Sequence, residues 1–174
     1  FVTESSEHSS EYYPWFIKKD HPELIDRFHI PLDEYPRRCR DQIARWKQQA
    51  EHLVHNENLT HTRSSEYAAG IIEALETGRT FGFAGNVLNT GLIDNLPFDA
   101  CVEVSCMVNE VILPLPHGPL PNQLAALNRR QIEVHQLTVD AALTRKKEYI
   151  YQAAMLDPHA GSELTIDEIR SLVD

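Results

Sequence analysis

The chain has few cysteines, no long apolar run and fewer basic than acidic residues. Three cysteines in 174 residues do not make a disulfide framework, so free thiols in a reducing cytoplasm are expected. No apolar stretch approaches the roughly 18–20 residues that span a bilayer, which argues against a membrane protein. Lys and Arg total 16 against 26 Asp and Glu, and the net charge of −10 disfavours binding to nucleic acid.

Several cofactor and nucleophile motifs are also missing. The sequence contains no P-loop, no Rossmann glycine fingerprint, no H-E-x-x-H and no G-x-S-x-G elbow. It opens on Phe1 rather than on Met or a signal peptide. Because 174 residues suffice for one core, we expect a single domain, 1–174, in which no complete catalytic apparatus is visible. The opening residues leave open whether the chain is a whole protein or the back part of one.

Two segments of the first half have apolar residues at helical spacing. A helix is predicted over 39–55, with apolar positions Ile43, Trp46, Ala50, Leu53 and Val54. A second is predicted over 64–76, with Tyr67, Ala68, Ile71, Ile72 and Leu75 on its buried face and Gly78 as its stop signal. Prolines 22, 31 and 36 restrict residues 17–38 to short helical turns or loop.

The middle of the chain alternates like a sheet. Residues 81–87 predict a strand that runs into a loop rich in Gly and Asn, and residues 100–108 predict a half-buried strand. A short partner strand is predicted over 111–113. Cys101 and Cys106 are an odd number of residues apart and face opposite sides of the strand, so packing is favoured over metal binding.

The last third is helical. A long helix over 122–143 carries two apolar stripes, the second formed by Ile132, Val139 and Leu143, which predicts burial on more than one side. Another helix is predicted over 146–155, ended by Asp157-Pro158. Thr165 and Glu168 predict a capping box for the last helix. The pattern indicates an α+β fold, mostly helical with a small antiparallel sheet.

Three polar clusters are candidates for chemistry. Residues 3–12 combine hydroxyls, carboxylates and an imidazole; a helix-capping loop is favoured over an activated serine of a hydrolase. Residues 85–97 carry three Asn and two Gly, which suit a sugar or nucleotide pocket as well as a long ordered turn. His52, His55 and His61 suggest a metal site, although a solvated helix end is favoured.

Longer motifs resemble a known family. Residues 1–8 (FVTESSEH), with Ser10-Glu11-Tyr12, resemble the central motif of the NAD- and manganese-dependent glycoside hydrolases of family 4. Residues 14–17 (PWFI) and 31–36 (PLDEYP) resemble its α-galactosidase, or melibiase, branch. The resemblance continues through 85–87, 91–97, 102–104, 124–127 and 154–159, and so covers nearly the whole chain.

The resemblance implies that this chain is the C-terminal substrate and oligomerisation domain of such an enzyme, with a fold like that of the lactate/malate dehydrogenase C-terminal domain. A Rossmann domain that binds NAD, and a Cys-His-Ser segment and later His that hold manganese, would precede Phe1. The intact enzyme would hydrolyse α-galactosides by oxidation, elimination, addition and reduction, an exception to the two-carboxylate mechanism. The fragment alone is expected to be inactive, without catalytic residues, metal or cofactor.

Glu7, His8, Asn86 and Asn89 are the predicted sugar-binding residues, because they are polar and lie in the motifs that carry the resemblance. Alternatively, Glu7 and His8 brace the interface with the Rossmann domain. Other substrates remain open, since α-glucosidase and α-glucuronidase relatives share the layout. A non-catalytic oligomerisation module is the alternative from another class, and a homo-oligomer is expected in either case.

Overall fold

The computed structural model describes residues 10, 12–56, 58, 60, 62 and 64–174. The chain forms two compact units, residues 1–64 and residues 65–174. The first unit contains a short helix, α1 (Glu23–Arg27), and a long one, α2 (Glu34–His55). All three cysteines are free thiols. Within the described ranges, no helix is both long and apolar enough to cross a membrane.

Helix α2 begins five residues before the predicted start at Cys39. The prediction that residues 17–38 hold only short turns or loop is therefore wrong at its C-terminal end. Pro36 is the third residue of the helix, where its missing N–H has no intrahelical partner to lose. Arg37 reinforces this first turn by donating to Glu34 and Asp41, at 2.6 and 2.9 Å.

Aromatic side chains pack the rest of the first unit. Tyr13 stacks on Trp15 with ring centroids 5.0 Å apart, and the Trp15 ring meets Phe16 edge-on at 6.4 Å. Phe16 in turn meets Phe28, at the end of α1, at 5.3 Å and 87°. Such offset and edge-on pairs are favourable beyond the area they bury. Burial raises the pKa of the Tyr13 hydroxyl.

The second unit is a three-stranded antiparallel sheet flanked by helices, which confirms the predicted α+β class. Its elements in chain order are α3 (Ala68–Thr77), β1 (Phe81–Leu88), β2 (Cys101–Val108), β3 (Ile112–Pro114), α4 (Asn122–Thr144), α5 (Lys147–Leu156), α6 (Pro158–Glu163) and α7 (Ile166–Val173). The strand order is β1-β2-β3. Helix α6 was not predicted; Pro158 occupies its first turn and Asp157 caps it by accepting from the Ala160 N–H at 2.8 Å.

The core of this unit lies on one face of the central strand. Val102, Val104, Cys106 and Val108 are buried, and the residues between them are exposed, which confirms the predicted alternation. The core cluster adds loop residues and one residue of α4: Leu92, Ile93, Leu96, Ala100 and Ala125. Phe83, Val87, Leu120 and Ile132 pack against it. The loop after β1 is therefore part of the core.

One predicted helix face is wrong, and a second is wrong in part. In α3 the buried residues are Gly70 and Ala74, whereas Tyr67, Ala68, Ile72 and Leu75 are exposed. In α4 the predicted first stripe is half-buried: Leu124, Leu127, Gln131, Val134, Leu137 and Ala141. Of the predicted second stripe, Ile132 packs against the core, whereas Val139 and Leu143 are 48% and 79% exposed, and the buried residue of the helix is Ala125. Apolar periodicity identifies a helix, but the contact distance to the sheet decides which residues lie inside, and here small side chains provide the close approach.

Predicted helix ends agree better with the structure. Gly78 ends α3 in the left-handed region, at φ 71°, and its N–H donates to the Ala74 carbonyl. Thr165 caps α7 through the predicted capping box with Glu168, whose carboxylate accepts from the Thr165 N–H at 2.7 Å. Both signals depend only on residues within one helical turn.

Candidate functional site

Of the first polar cluster, residues 3–12, the structure describes Ser10 and Tyr12. Glu7 and His8, two of the predicted sugar-binding residues, lie outside the described residues. Ser10 from the same motif is described and is almost fully buried. It belongs to the first unit and lines a cleft there.

This cleft has a volume of about 370 Å³. Its polar lining residues are Ser10, Asp33, Glu34 and Arg38, and its apolar ones are Ile17, Ile30, Pro31, Leu32, Tyr35 and Pro36. Apolar walls with a few polar groups are typical of small-molecule sites. The motif of residues 31–36, which carried the resemblance, thus forms one wall of the cleft in the first unit.

The second polar cluster is an ordered loop over residues 89–100, organised around one buried amide. Asn89 is 0% exposed. Its Nδ2 donates to the carbonyls of Ile93, Leu96 and Pro97, at 3.0, 3.2 and 2.9 Å, and its Oδ1 accepts from the Ile93 N–H at 2.9 Å. The side chain therefore uses its hydrogen-bonding groups within its own loop, and its contact with the sugar stays a prediction.

Further contacts tie this loop to the segment before α4. Asn95 donates to the Leu120 carbonyl at 2.8 Å and accepts from the Leu120 N–H at 2.9 Å. The Asn95 carbonyl accepts from Arg129 of α4 at 2.8 Å. The His117 N–H donates to the Leu92 carbonyl at 2.7 Å. These bonds fix a rigid loop at one end of the sheet, as a site built on a scaffold requires.

Asn86 has the opposite environment. It is exposed on β1, directly across from Glu103 of β2. The same side of the two strands, here called the open face, consists of Gly82, Ala84, Asn86, Leu88, Cys101, Glu103, Ser105 and Met107, all exposed. Asn86, Glu103 and Ser105 are its polar members, so donors and acceptors for sugar hydroxyls are available there.

The structure thus separates the predicted residues of the second unit. Asn86 faces out from the sheet, and Asn89, three residues later, faces into the core. Sequence reasoning missed Glu103 and Ser105 as neighbours of Asn86. The alternation of both strands places these residues on exposed positions, but the register that pairs Asn86 with Glu103 is known only from the sheet.

Metal ligands are not grouped in the described ranges. No three His, Cys, Asp or Glu side chains among them come together as a set that could hold an ion. Asn56 Nδ2 lies 3.0 Å from His52 Nε2 at the exposed end of α2, and His61 lies outside the described residues. The His52 ring therefore contacts Asn56, the residue that follows the last turn of its helix.

Comparison with known proteins matches residues 1–160 to the family 4 glycosyl hydrolase C-terminal domain. An alpha-galactosidase of Bacillus subtilis (strain 168) is 57% identical over 175 residues, covering 100% of this chain and 40% of that protein. An alpha-galactosidase of Rhizobium meliloti (strain 1021) is 32% identical over 186 residues, covering 100% and 37%. The chain therefore spans about two fifths of the length of these relatives.

A solved structure described as a Bacillus subtilis glucosidase, lplD, has the same fold over 95% of this chain and 37% of its own, with a TM-score of 0.79 and 24% identity. The 6-phospho-beta glucosidase of Thermotoga maritima, solved with manganese, NAD+ and glucose-6-phosphate, is similar at a TM-score of 0.60. Its identity is 24%, and the match covers 78% of this chain and 33% of that one. Since the family match covers most of the chain, this protein belongs to family 4 of the glycosyl hydrolases and corresponds to their C-terminal domain.

Proposed function

We propose that the chain is the substrate-side part of an α-galactosidase that cleaves small α-galactosides. The observation that carries this proposal is the 57% identity to the Bacillus subtilis alpha-galactosidase over the whole chain. The geometry supports it: a hydrogen-bonded loop packs into the core on one face of the sheet, and the opposite, open face presents an amide, a carboxylate and a hydroxyl. Sugar recognition by hydrogen bonds needs such groups on a fixed framework.

Manganese and NAD would be held by the remainder of the enzyme. The described residues contain no grouped metal ligands, and the sequence has no dinucleotide fingerprint. The Thermotoga maritima relative was solved with both groups, and we propose that residues outside the described part of this chain hold them. We assign to this chain only the binding and orientation of the sugar, and to the N-terminal Rossmann domain the oxidation chemistry.

The chain by itself should not hydrolyse an α-galactoside. With NAD, manganese and a reductant present, we expect no release of p-nitrophenol from p-nitrophenyl α-galactoside by the 174 residues. The same assay with the enzyme extended by its N-terminal part should show turnover, and p-nitrophenyl α-glucoside should be a poorer substrate. NAD-dependent turnover by the chain alone would contradict the division of labour, and a preference for the glucoside would favour an α-glucosidase.

Asn86→Ala in the extended enzyme should lower kcat/KM for the α-galactoside about tenfold, the cost of one lost hydrogen bond of about 1.4 kcal/mol to substrate. The matched control is Asn128→Ala, which removes an exposed amide from α4 that bonds only its own helix, at the Leu124 carbonyl. If Asn86→Ala kept the wild-type kcat/KM, this result would contradict the proposal that the open face binds the sugar. Equal losses in both variants would indicate a general structural effect.

A further inference from the structure

The cleft of the first unit is a concave feature that the sugar site proposed above does not use. Its volume of about 370 Å³ falls within the range of about 300–1,000 Å³ that small-molecule pockets have. All of its lining residues lie between positions 10 and 38 and belong to the first unit. What the cleft can bind therefore depends on how this one segment folds.

The end of helix α1 shapes the apolar part of the lining. The Ile30 N–H donates to the Ile25 carbonyl at 3.0 Å, and the His29 N–H donates to the Asp26 carbonyl at 3.2 Å. These two bonds form a Schellman motif, and His29, at φ 53°, has the left-handed backbone that this motif requires. The helix end thus fixes Ile30, which is buried, in the lining of the cleft.

Asp33 also has a left-handed backbone, and its position before a helix does not explain it. It directly precedes α2 and has φ 54°, whereas a residue that caps a helix is normally extended. Its carboxylate makes no capping hydrogen bond to α2, although Asp is one of the preferred capping residues. Left-handed residues other than glycine are costly and cluster at ligand sites. Asp33 therefore lines the cleft with a carboxylate that the helix does not use.

The charged side chains of the lining divide into one that is engaged and two that are left for a ligand. The Glu34 carboxylate accepts from Arg37 at 2.6 Å. Among the described residues, the ion pairs of the first unit include neither Asp33 nor Arg38. The cleft thus offers a carboxylate that only accepts hydrogen bonds and a guanidinium that only donates them, and the charges of these two groups cancel.

An uncharged sugar matches this set of groups. Each sugar hydroxyl both donates and accepts, so neighbouring hydroxyls can donate to Asp33 and accept from Arg38 at the same time. The almost fully buried Ser10 adds a further hydroxyl to the lining, and Leu32 and Tyr35 provide apolar surface for the C–H groups of the ring. An anionic ligand would meet the Asp33 carboxylate and a cationic one the Arg38 guanidinium, which disfavours a net charge of either sign.

We propose that the cleft of the first unit is a second sugar site, which holds an uncharged sugar ring by its hydroxyl groups, with Asp33 as acceptor and Arg38 as donor. The proposal rests on the function proposed above, because that function supplies the class of ligand. Its test measures binding rather than turnover, so either proposal can fail without the other. A zwitterion such as a free amino acid is the competing ligand, since it also pairs with one carboxylate and one guanidinium.

Nitrogen-15 NMR titration of the 174-residue chain with methyl α-galactoside tests the cleft. We expect saturable shifts of backbone amides among residues 30–38. Asp33→Asn should weaken this binding at least about tenfold, because a hydrogen bond to a charged group is lost, and Asn tolerates the left-handed backbone as Asp does. The matched control is Asp26→Asn, which removes an exposed carboxylate of α1 that does not line the cleft and should bind like the wild type.

The charge of the ligand provides a second test. Methyl α-galacturonide, the uronate of the same sugar, should bind the wild type at least about tenfold more weakly than methyl α-galactoside, because its carboxylate meets that of Asp33. In Asp33→Asn this difference should shrink. The free amino acid glycine, a zwitterion, should cause no saturable shifts among residues 30–38.

An absence of saturable shifts in the cleft, or shifts confined to the second unit, would overturn the proposal. Equal losses in Asp33→Asn and Asp26→Asn, or tighter binding of glycine than of the galactoside, would also contradict it. Hydrolysis of α-galactosides by the extended enzyme without binding in the cleft would reject this proposal alone. Binding in the cleft without hydrolysis by the extended enzyme would reject only the function proposed above.

Asp33→Gly separates binding from folding, because Gly adopts the left-handed backbone without a steric cost. The urea midpoint of the first unit, followed by the fluorescence of Trp15 and Trp46, should rise in this variant while its affinity for methyl α-galactoside falls. A fall in both the midpoint and the affinity would mean that Asp33 stabilises the fold of the first unit, and it would contradict the assignment of its carboxylate to the sugar.

Discussion

Asn89→Ala should lower the free energy of unfolding of the second unit by about 3 kcal/mol, and it is one of the two largest effects that we expect. The substitution removes four hydrogen bonds, three donated and one accepted, from a fully buried side chain. It leaves the Ile93 N–H and three carbonyls without the amide. Each unsatisfied buried polar group costs about 1–3 kcal/mol, although water entering the vacated space offsets part of the sum.

Asn89→Asp makes the test specific to hydrogen bonding. Asp keeps an oxygen that can accept from the Ile93 N–H, but it cannot donate to the carbonyls of Ile93, Leu96 and Pro97. It also places a carboxylate among carbonyl oxygens without a cation to pair it, which is costly in a buried site. We therefore expect Asp to destabilise at least as much as Ala, although its shape is closer to that of Asn.

Urea unfolding, followed by far-UV circular dichroism and by hydrogen exchange over residues 89–104, measures this effect. Both tryptophans, Trp15 and Trp46, lie in the first unit, so their fluorescence serves as an internal reference. Asn86→Ala, exposed on β1, is the matched control and should change stability by less than about 0.5 kcal/mol. If Asn89→Ala matched Asn86→Ala in stability but abolished turnover in the extended enzyme, the predicted contact between Asn89 and the sugar would be supported.

The contrast between Asn86 and Asn89 also shows which properties of the candidate site can be predicted from sequence. Both residues lie in one Asn- and Gly-rich stretch, and composition alone assigns them the same pair of interpretations. Their roles differ because a strand ends between them: Asn86 follows the alternation of β1, while Asn89 starts the loop that turns into the core. The partners that decide the role of Asn89 lie up to eight residues later, beyond the range of local pattern.

The features of the fold also divide into those that local sequence signals predict and those that tertiary packing decides. Gly78, the capping box of Thr165 and Glu168, and the alternation of β2 are local signals, and the structure confirms each of them. Asp157-Pro158 was interpreted only as the end of a helix, although Pro in a first turn also starts one, and α6 begins there. The face of α3 was wrong, and that of α4 was wrong in part, because packing distance, a tertiary property, selects Gly70, Ala74 and Ala125 for burial.

Gly70→Val is the second large effect, an expected loss of about 3 kcal/mol in the free energy of unfolding of the second unit. Gly70 is buried in α3 against the ring of Phe81, the first residue of β1. A Cβ at this position would lie 2.6, 2.7 and 2.9 Å from Phe81 Cζ, Cε2 and Cε1. These distances are shorter than van der Waals contact, so the ring or the helix must move, and the branched side chain of Val enlarges the overlap.

Gly82→Val is the matched control, because the nearest atom to its Cβ is the Cys106 carbonyl oxygen at 3.9 Å and Val suits an exposed strand position. We expect that variant to be within about 0.5 kcal/mol of the wild type. In a Phe81→Ala background the cost of Gly70→Val should fall by at least half, since the opposing ring is gone and the two sites are in contact. Equal costs of Gly70→Val with and without the ring would mean that the helix, rather than the contact between α3 and β1, requires glycine at this position.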